Sequence, residues 1–376
     1  MIRTRRSSVP LYGLAAVLVL ISFVAFGQGA VRIPPAQCLN ILLDKIGIGL
    51  GPVDAQQQAV LLSIRLPRVL LAILVGAGLG VSGAAMQGLL RNPLADPSLI
   101  GISSGGALAA TAVFVLSDTL AVNLSRYPGM FALPAAAFAG GLITTIAVYR
   151  LSRVSGRMVI GVILLAGIAI NAITQAFSSL LSFYATDTQI RSITFWRLGS
   201  LGGATWLSVT VIAPFILIPV IGLTTQSRAL NTFLLGESEA FHLGIRVERV
   251  KRLVIVLVAM AAGASVAVTG IIGFVGLVVP HMLRLISGPD YRRLLPGSAL
   301  LGAIVLVGAD LISRTLVVPA ELPIGIITAL GGGRSSCICC CGTASSESSR
   351  DSRRSSGVRN RGPRFAGGHL PGPCAG

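Results

Sequence analysis

Long runs that are nearly or wholly uncharged, separated by short polar segments, dominate this chain. The runs cover 11–31, 69–90, 99–116, 129–149, 158–183, 205–224, 253–283 and 294–313. Each approaches or exceeds the ~20 apolar residues that carry a helix across a hydrocarbon core. The pattern predicts an all-α fold, a polytopic transmembrane helix bundle with no soluble domain. Glycines at Gly76, Gly78, Gly80 and Gly83 predict close helix approach. Breaks at Pro93, Pro97, Pro280 and Pro323 predict short, kinked or re-entrant pieces, which a bilayer tolerates only when protein buries them.

Composition agrees. Of 376 residues, 53% are hydrophobic and only 11% charged, with a mean hydropathy of +0.83; a soluble domain carries about 25% charged residues. Arg3, Arg5 and Arg6 precede the first run. A cleavable signal peptide ending near Gly27–Ala30 is one reading of it. An uncleaved first helix is favoured, because the many later segments set the topology with it. The net charge of +17 reports orientation. With the N-terminus in the cytosol, the inner loops gather the larger share of Lys and Arg, including Arg150, Arg153, Arg157, Arg246, Arg249, Lys251 and Arg252. Nothing interleaves aromatic and basic residues in the way that stacks bases, so no nucleic-acid partner is expected. Arg65, Arg68 and Arg314 fall on the outer side and need a separate explanation. Cys38 is the sole cysteine before the C-terminal tail, so no disulfide within the body of the chain is expected.

Two segments stand apart. Residues 226–252 are polar and set Glu237, Glu239, His242, Arg246, Glu248 and Arg249 around Leu234, Leu235, Phe241 and Leu243. They predict one or two short amphipathic helices on the inner face, either an ordinary surface loop or a docking element for a soluble partner. After Leu330 the sequence turns to Ser, Arg, Gly and Cys without helical period. Domains are therefore set at 1–330, the membrane domain, and 331–376, an aberrant low-complexity tail expected to be disordered. Cys337, Cys339, Cys340 and Cys341 are too crowded for paired zinc spacing. One choice of codons for Arg334–Cys341, with a C before it and GG after it, reads in the neighbouring frame as Pro-Leu-Phe-Leu-Tyr-Leu-Leu-Leu-Arg, the missing half of a helix begun at Pro323. A frameshift near Gly331–Gly333 is the favoured reading, and resequencing the gene tests it.

Four motifs are too specific for generic membrane sequence: Arg65-Leu-Pro-Arg68; Gln87 to Pro97 continuing to Gly106; Gly270 to Arg284, containing Pro280 and His281; and Glu321-Leu-Pro-Ile-Gly325. In this order and spacing they closely resemble the permeases of the iron-siderophore, heme and cobalamin ABC importers, the FecCD family. The resemblance covers about residues 8–330. It implies ten helices, the tenth truncated or frameshifted here, in a bacterial inner membrane. It also implies a homodimer around a translocation path, two cytosolic ABC ATPase subunits, and a periplasmic or lipid-anchored substrate-binding protein. No cofactor is expected on this chain. ATP would be used by the partner, since no Gly-x-x-x-x-Gly-Lys-Ser/Thr loop occurs. The resemblance places coupling to the ATPase at Gly236, Glu237, Glu239, Ala240, Leu243 and Gly244. It places binding-protein docking at Arg65, Arg68 and Arg314, whose planar forks suit carboxylates. Against that, Arg65 and Arg68 would merely anchor a helix end, and Asp310 would neutralise Arg314 four residues on. Asn92, Pro93, Asp96 and Pro97 shape a turn. Gly273, Pro280 and His281 take structural or gating roles, because the position recurs across family members with unrelated cargo.

The blocks Val268–Gly273, Gly288–Gly302 and Leu230–Ala240 look most like the heme-importing branch, ahead of ferric siderophores and cobalamin. A membrane enzyme is the competing class, but no paired acids or His-Glu-x-x-His motif occurs, and catalytic and metal sites are expected to be absent. A non-functional truncated permease is the remaining alternative.

Overall fold

A computed structural model describes residues 11–29, 31–45, 47–48, 51–117, 131–317 and 321–333. The 331–376 tail, except Gly331–Gly333, lies outside the described residues, as does the Arg3–Arg6 cluster.

The described chain is helical almost throughout. α1 (Leu11–Gly27) and α2 (Pro35–Asp44) lead into α3 (Ala55–Val60). α3 continues through a π-helical stretch, Leu61–Arg65, into α4 (Leu66–Leu89), so that one helix runs unbroken over Ala55–Leu89. There follow α5 (Ile102–Leu116), α6 (Ala132–Leu151), α7 (Ile160–Phe183), α8 (Asp187–Leu198) and α9 (Trp206–Thr225). Two short helices, α10 (Ser227–Phe233) and α11 (Glu237–His242), precede α12 (Val247–Thr269), α13 (Val275–Ser287), α14 (Tyr291–Leu316) and α15 (Ile324–Gly333). An antiparallel hairpin pairs β1 (Arg153–Val154) with β2 (Arg157–Met158). Among the described residues, six helices are long and apolar enough to cross a membrane, and four more are apolar but shorter.

The span through α4 is the hub: its most apolar stretch is 78% buried, whereas that of α7 is only 17% buried. α4 packs against α9, α12, α13 and α14, and α5 gathers α6 and α7 beside them. Small residues allow this. A Cβ on Gly83 would stand 1.8 Å from the Gly276 carbonyl oxygen, and one on Gly80 2.2 Å from that of Ser298. The backbones of α13 and α14 therefore touch α4 directly, as glycine-lined membrane interfaces permit.

The run 253–283, predicted as one apolar segment, is two helices. It breaks over Gly270–Phe274, where Gly270 (φ 72°) and Phe274 (φ 68°) both take left-handed backbone. Hydropathy does not register such a turn because its residues, Gly270–Phe274, are as apolar as the helices on either side. Thr269 accepts from the Ser200 amide at 2.8 Å there, and a Cβ on Gly270 would meet the Trp196 carbonyl at 2.0 Å. α2 and α8 were not foreseen. α8 is polar, and a capping box starts it: the Thr186 hydroxyl accepts from the Gln189 amide, while the Gln189 side chain accepts from Thr186.

Candidate functional site: two ends of the helix bundle

Polar and charged side chains collect at opposite ends of the span 55–89. At its Arg68 end, buried arginines meet carboxylates from distant sequence. Arg68 donates Nε to Asp310 at 2.9 Å and forks onto Glu321 at 2.8 and 3.0 Å. Arg314, one turn beyond Asp310 on α14, approaches its other oxygen at 3.6 Å and donates to the Ala25 carbonyl. Arg65 donates to the carbonyls of Phe26 and Val31 at the end of α1. Arg65, Arg68 and Asp310 are 4%, 6% and 1% exposed. Glu321 precedes α15, and its carboxyl is held below the usual range chiefly by the hydrogen bond from Arg68.

This geometry corrects one expectation. Arg65 and Arg68 sit inside a continuous helix, not in an outer loop, and with Arg314 they are buried and internally partnered rather than outward-facing free charges. The physical reason is desolvation: a buried cation must be paired or hydrogen-bonded. Asp310 does neutralise Arg314, but it serves Arg68 at the same time. The cluster pins α1, α4, α14 and the segment before α15 together. Sequence reasoning missed Asp310 and Glu321 as partners of Arg68, although Glu321 opens a quoted motif and Asp310 was already read as the neutraliser of Arg314.

At the opposite end lie α10, α11 and the turn after α4. α11 is framed by Gly236 (φ 124°) and Gly244 (φ 82°), conformations that glycine adopts without penalty. Ala240 is buried, while Phe241 and Leu243 are 69% and 65% exposed. Glu237 and Glu239 occupy the first turn of α11, favourable against its positive dipole end. Beneath them Lys251, 1% exposed, donates to Glu237 at 2.6 Å, to the Met158 carbonyl at 3.0 Å and to Glu248 at 3.4 Å. The other Glu248 oxygen accepts from the Met158 amide at 3.2 Å. Lys251 thus fastens α11 and the β1–β2 hairpin to α12. An open groove of about 820 Å³ runs between Arg157, Glu237, Phe241, His242, Arg246 and Arg249. Sequence reading assigned Lys251 only to the cytosolic charge tally; Glu248 three residues before it on α12 was the available signal.

The turn after α4 packs onto α13. Asn92 accepts from the Leu94 amide at 2.9 Å and Asp96 from the Ser98 amide at 2.8 Å, so both serve the turn beside Pro93. Pro97 is buried against Gly276, and the Gln87 amide donates to the Leu277 carbonyl at 3.1 Å. Pro280 is buried within α13, His281 beside it is half-buried, and Gly273 lies in the loop before that helix with open space around it. Asn231 of α10 donates to Asp290 at 2.7 Å and accepts from the Tyr291 amide at 2.9 Å, tying α10 to the start of α14. Asp290 is held below the usual carboxylate range, first by the Arg292 amide and then by Asn231. Among the described residues, no three His, Cys, Asp or Glu side chains cluster as metal ligands.

A polytopic bundle with a buried charge clasp at one end and exposed short helices at the other places the chain among multi-span membrane proteins. Comparison with known proteins gives the family. The model of the FecCD transport family matches residues 16–334, and the chain belongs to that family. It is 47% identical over 272 residues to the hemin transport system permease protein HmuU of Yersinia pestis, covering 72% of this chain and 80% of HmuU. It is 40% identical over 275 residues to the cobalamin import system permease protein BtuC of Halobacterium salinarum, covering 73% of this chain and 71% of that protein. Among solved structures, an inward-facing conformation of a metal-chelate type ABC transporter matches with a TM-score of 0.75 and 32% identity, over 86% of this chain and 96% of the other. The chain is an ABC importer permease of the metal-chelate type and not an enzyme.

Proposed function

We propose that this permease carries heme from a substrate-binding protein into the cytosol, in the inner membrane of a bacterium and with its N-terminus in the cytosol. It would act as a homodimer with two ABC ATPase subunits. What supports heme is the 47% identity to the hemin permease, set against 40% to a cobalamin permease over a similar length. What supports ATPase coupling through Gly236–Gly244 is a short helix with exposed Phe241 and Leu243, anchored from below by Lys251. The open groove beside it gives a partner chain both charged and apolar contacts.

Docking of the binding protein belongs at the Arg68 end. Its carboxylates would reach Arg68 by displacing Glu321, whose side chain is 46% exposed, while Arg65 and Arg314 hold the frame. Such docking weakens as salt screens the charges. The test is ATP hydrolysis by the reconstituted complex in liposomes, with the binding protein loaded in turn with hemin, a ferric siderophore or cobalamin. Stimulation by hemin above the other two supports the proposal; stimulation by another cargo alone replaces heme with that cargo.

A further inference from the structure

α7 presents a face that lipid does not suit. Its span is only 17% buried within the protein, yet Asn171, Gln175 and Ser179 recur on it four residues apart, and Gln175 and Ser179 are exposed. Gln175 lies eight residues before the end of α7 at Phe183, about 12 Å into the span at 1.5 Å per residue. That is within a hydrocarbon core ~30 Å thick. Polar groups at that depth face a bundle interior or a water-filled cavity.

A cation is pinned to this stripe. Arg197, at the end of α8, donates its terminal nitrogen to the Gln175 amide oxygen at 2.8 Å. The buried cations have stronger partners: Arg68, Arg314 and Lys251 each face a carboxylate, and Arg65 two carbonyls. Arg197 takes part in none of the ion pairs among the described residues. One turn deeper the Asn171 amide oxygen accepts from Ser104 at 2.5 Å. The site is thus an accessible guanidinium on a half-buried residue, held by a neutral amide, with donor capacity left over, on a polar face at membrane depth.

We infer that Arg197, positioned by Gln175, is an anion-binding station on the translocation path that takes a carboxylate of an iron chelate in passage. The inference rests on the importer reading and narrows it to carboxylate-bearing cargo. A neutral clamp suits a passing anion: a resident carboxylate would cancel the charge, and a free arginine would lose its geometry. Guanidinium–carboxylate recognition supplies the contact.

The test measures ATP-dependent uptake by the full chain, reconstituted with its ATPase and binding protein, of hemin, which carries two carboxylates, and of ferrichrome, a hydroxamate chelate with none. Assembly is checked by size exclusion. Arg197→Gln is expected to slow hemin uptake about tenfold or more, the scale of a lost charge-assisted hydrogen bond, while Arg197→Lys stays within about threefold of wild type, since it keeps the charge. Arg191→Gln, six residues away on another face of α8, is expected to match wild type. Hemin uptake unchanged in Arg197→Gln overturns the station, as does an Arg197→Gln loss that falls equally on hemin and ferrichrome, which marks a packing role. Wild type that moves ferrichrome and not hemin overturns the carboxylate assignment and leaves the importer reading standing. Wild type that moves no chelate removes the importer reading itself.

Discussion

Asp310→Ala is expected to cost stability through charge rather than through packing. The Asp310 carboxylate is 1% exposed and joins Arg68 at 2.9 Å to Arg314 at 3.6 Å. Asp310→Ala leaves two guanidinium groups facing one another in a low-dielectric interior. Breaking a buried pair by removing one partner costs about 3–5 kcal/mol. Arg68 keeps its fork to Glu321, which sets the expectation at about 3 kcal/mol rather than the top of that range. Arg314 fares worse: its Nε makes no hydrogen bond even in the intact protein, so the carboxylate is its charge partner. Replacing both members by apolar residues of similar size, Asp310→Leu with Arg314→Met, removes the charge and its desolvation penalty together. That double variant is expected within about 1–2 kcal/mol of wild type. The assay is unfolding in mixed micelles by denaturing detergent, read by fluorescence and repeated for single and double variants. Asp310→Ala within about 0.5 kcal/mol of wild type, or a double variant no more stable than the single, refutes the reasoning.

Gly83→Val forces a side chain into the Gly276 backbone and is expected to abolish monodisperse protein on size exclusion, whereas Gly161→Ala, with nothing within 4 Å of the added Cβ, is expected to be silent. Lys251→Met leaves Glu237 and Glu248 without their shared cation; cargo-stimulated ATP hydrolysis is expected to fall severalfold, with Lys251→Arg retaining part of it. The Glu321 carboxyl is depressed by Arg68, so its contribution to stability is present above its unfolded value of about 4.3 and is lost as pH falls through the lower folded value. Melting temperature is expected to be level from neutral pH down to the mild acid range and then to drop, with a smaller drop in Glu321→Gln.

Much of this fold is legible as a string of uncharged runs, because a bilayer enforces helix and forbids charge over a fixed length. The Gly76–Gly83 stripe could be read as an interface for the same reason: only small residues let backbones touch, and α13 and α14 do touch α4 there. What hydropathy could not show was the break at Gly270–Phe274, since the turn is as apolar as the helices beside it. α8 escaped notice because it is polar and its start lies in a capping box rather than an apolar run. The short helices α10 and α11 were legible in the polar, glycine-framed segment 226–252, but the cation that anchors α11 was not. Lys251 resembles any juxtamembrane lysine until Glu237 and the Met158 carbonyl are brought to it from elsewhere in the chain. The arginine motif was read as outward-facing charge, whereas Arg65 and Arg68 are buried. Sequence separations of 242 and 253 residues divide Arg68 from Asp310 and Glu321, and no local pattern reports pairs that distant.

Vectorial uptake tests the central claim most directly. The full chain, reconstituted with its ATPase and hemin-loaded binding protein in vesicles holding ATP inside, is predicted to accumulate hemin in the lumen. Accumulation should stop when ATP is replaced by a non-hydrolysable analogue and when the binding protein is omitted. Hemin entry that is indifferent to ATP and to the binding protein, or that occurs equally in vesicles lacking this chain, contradicts the account.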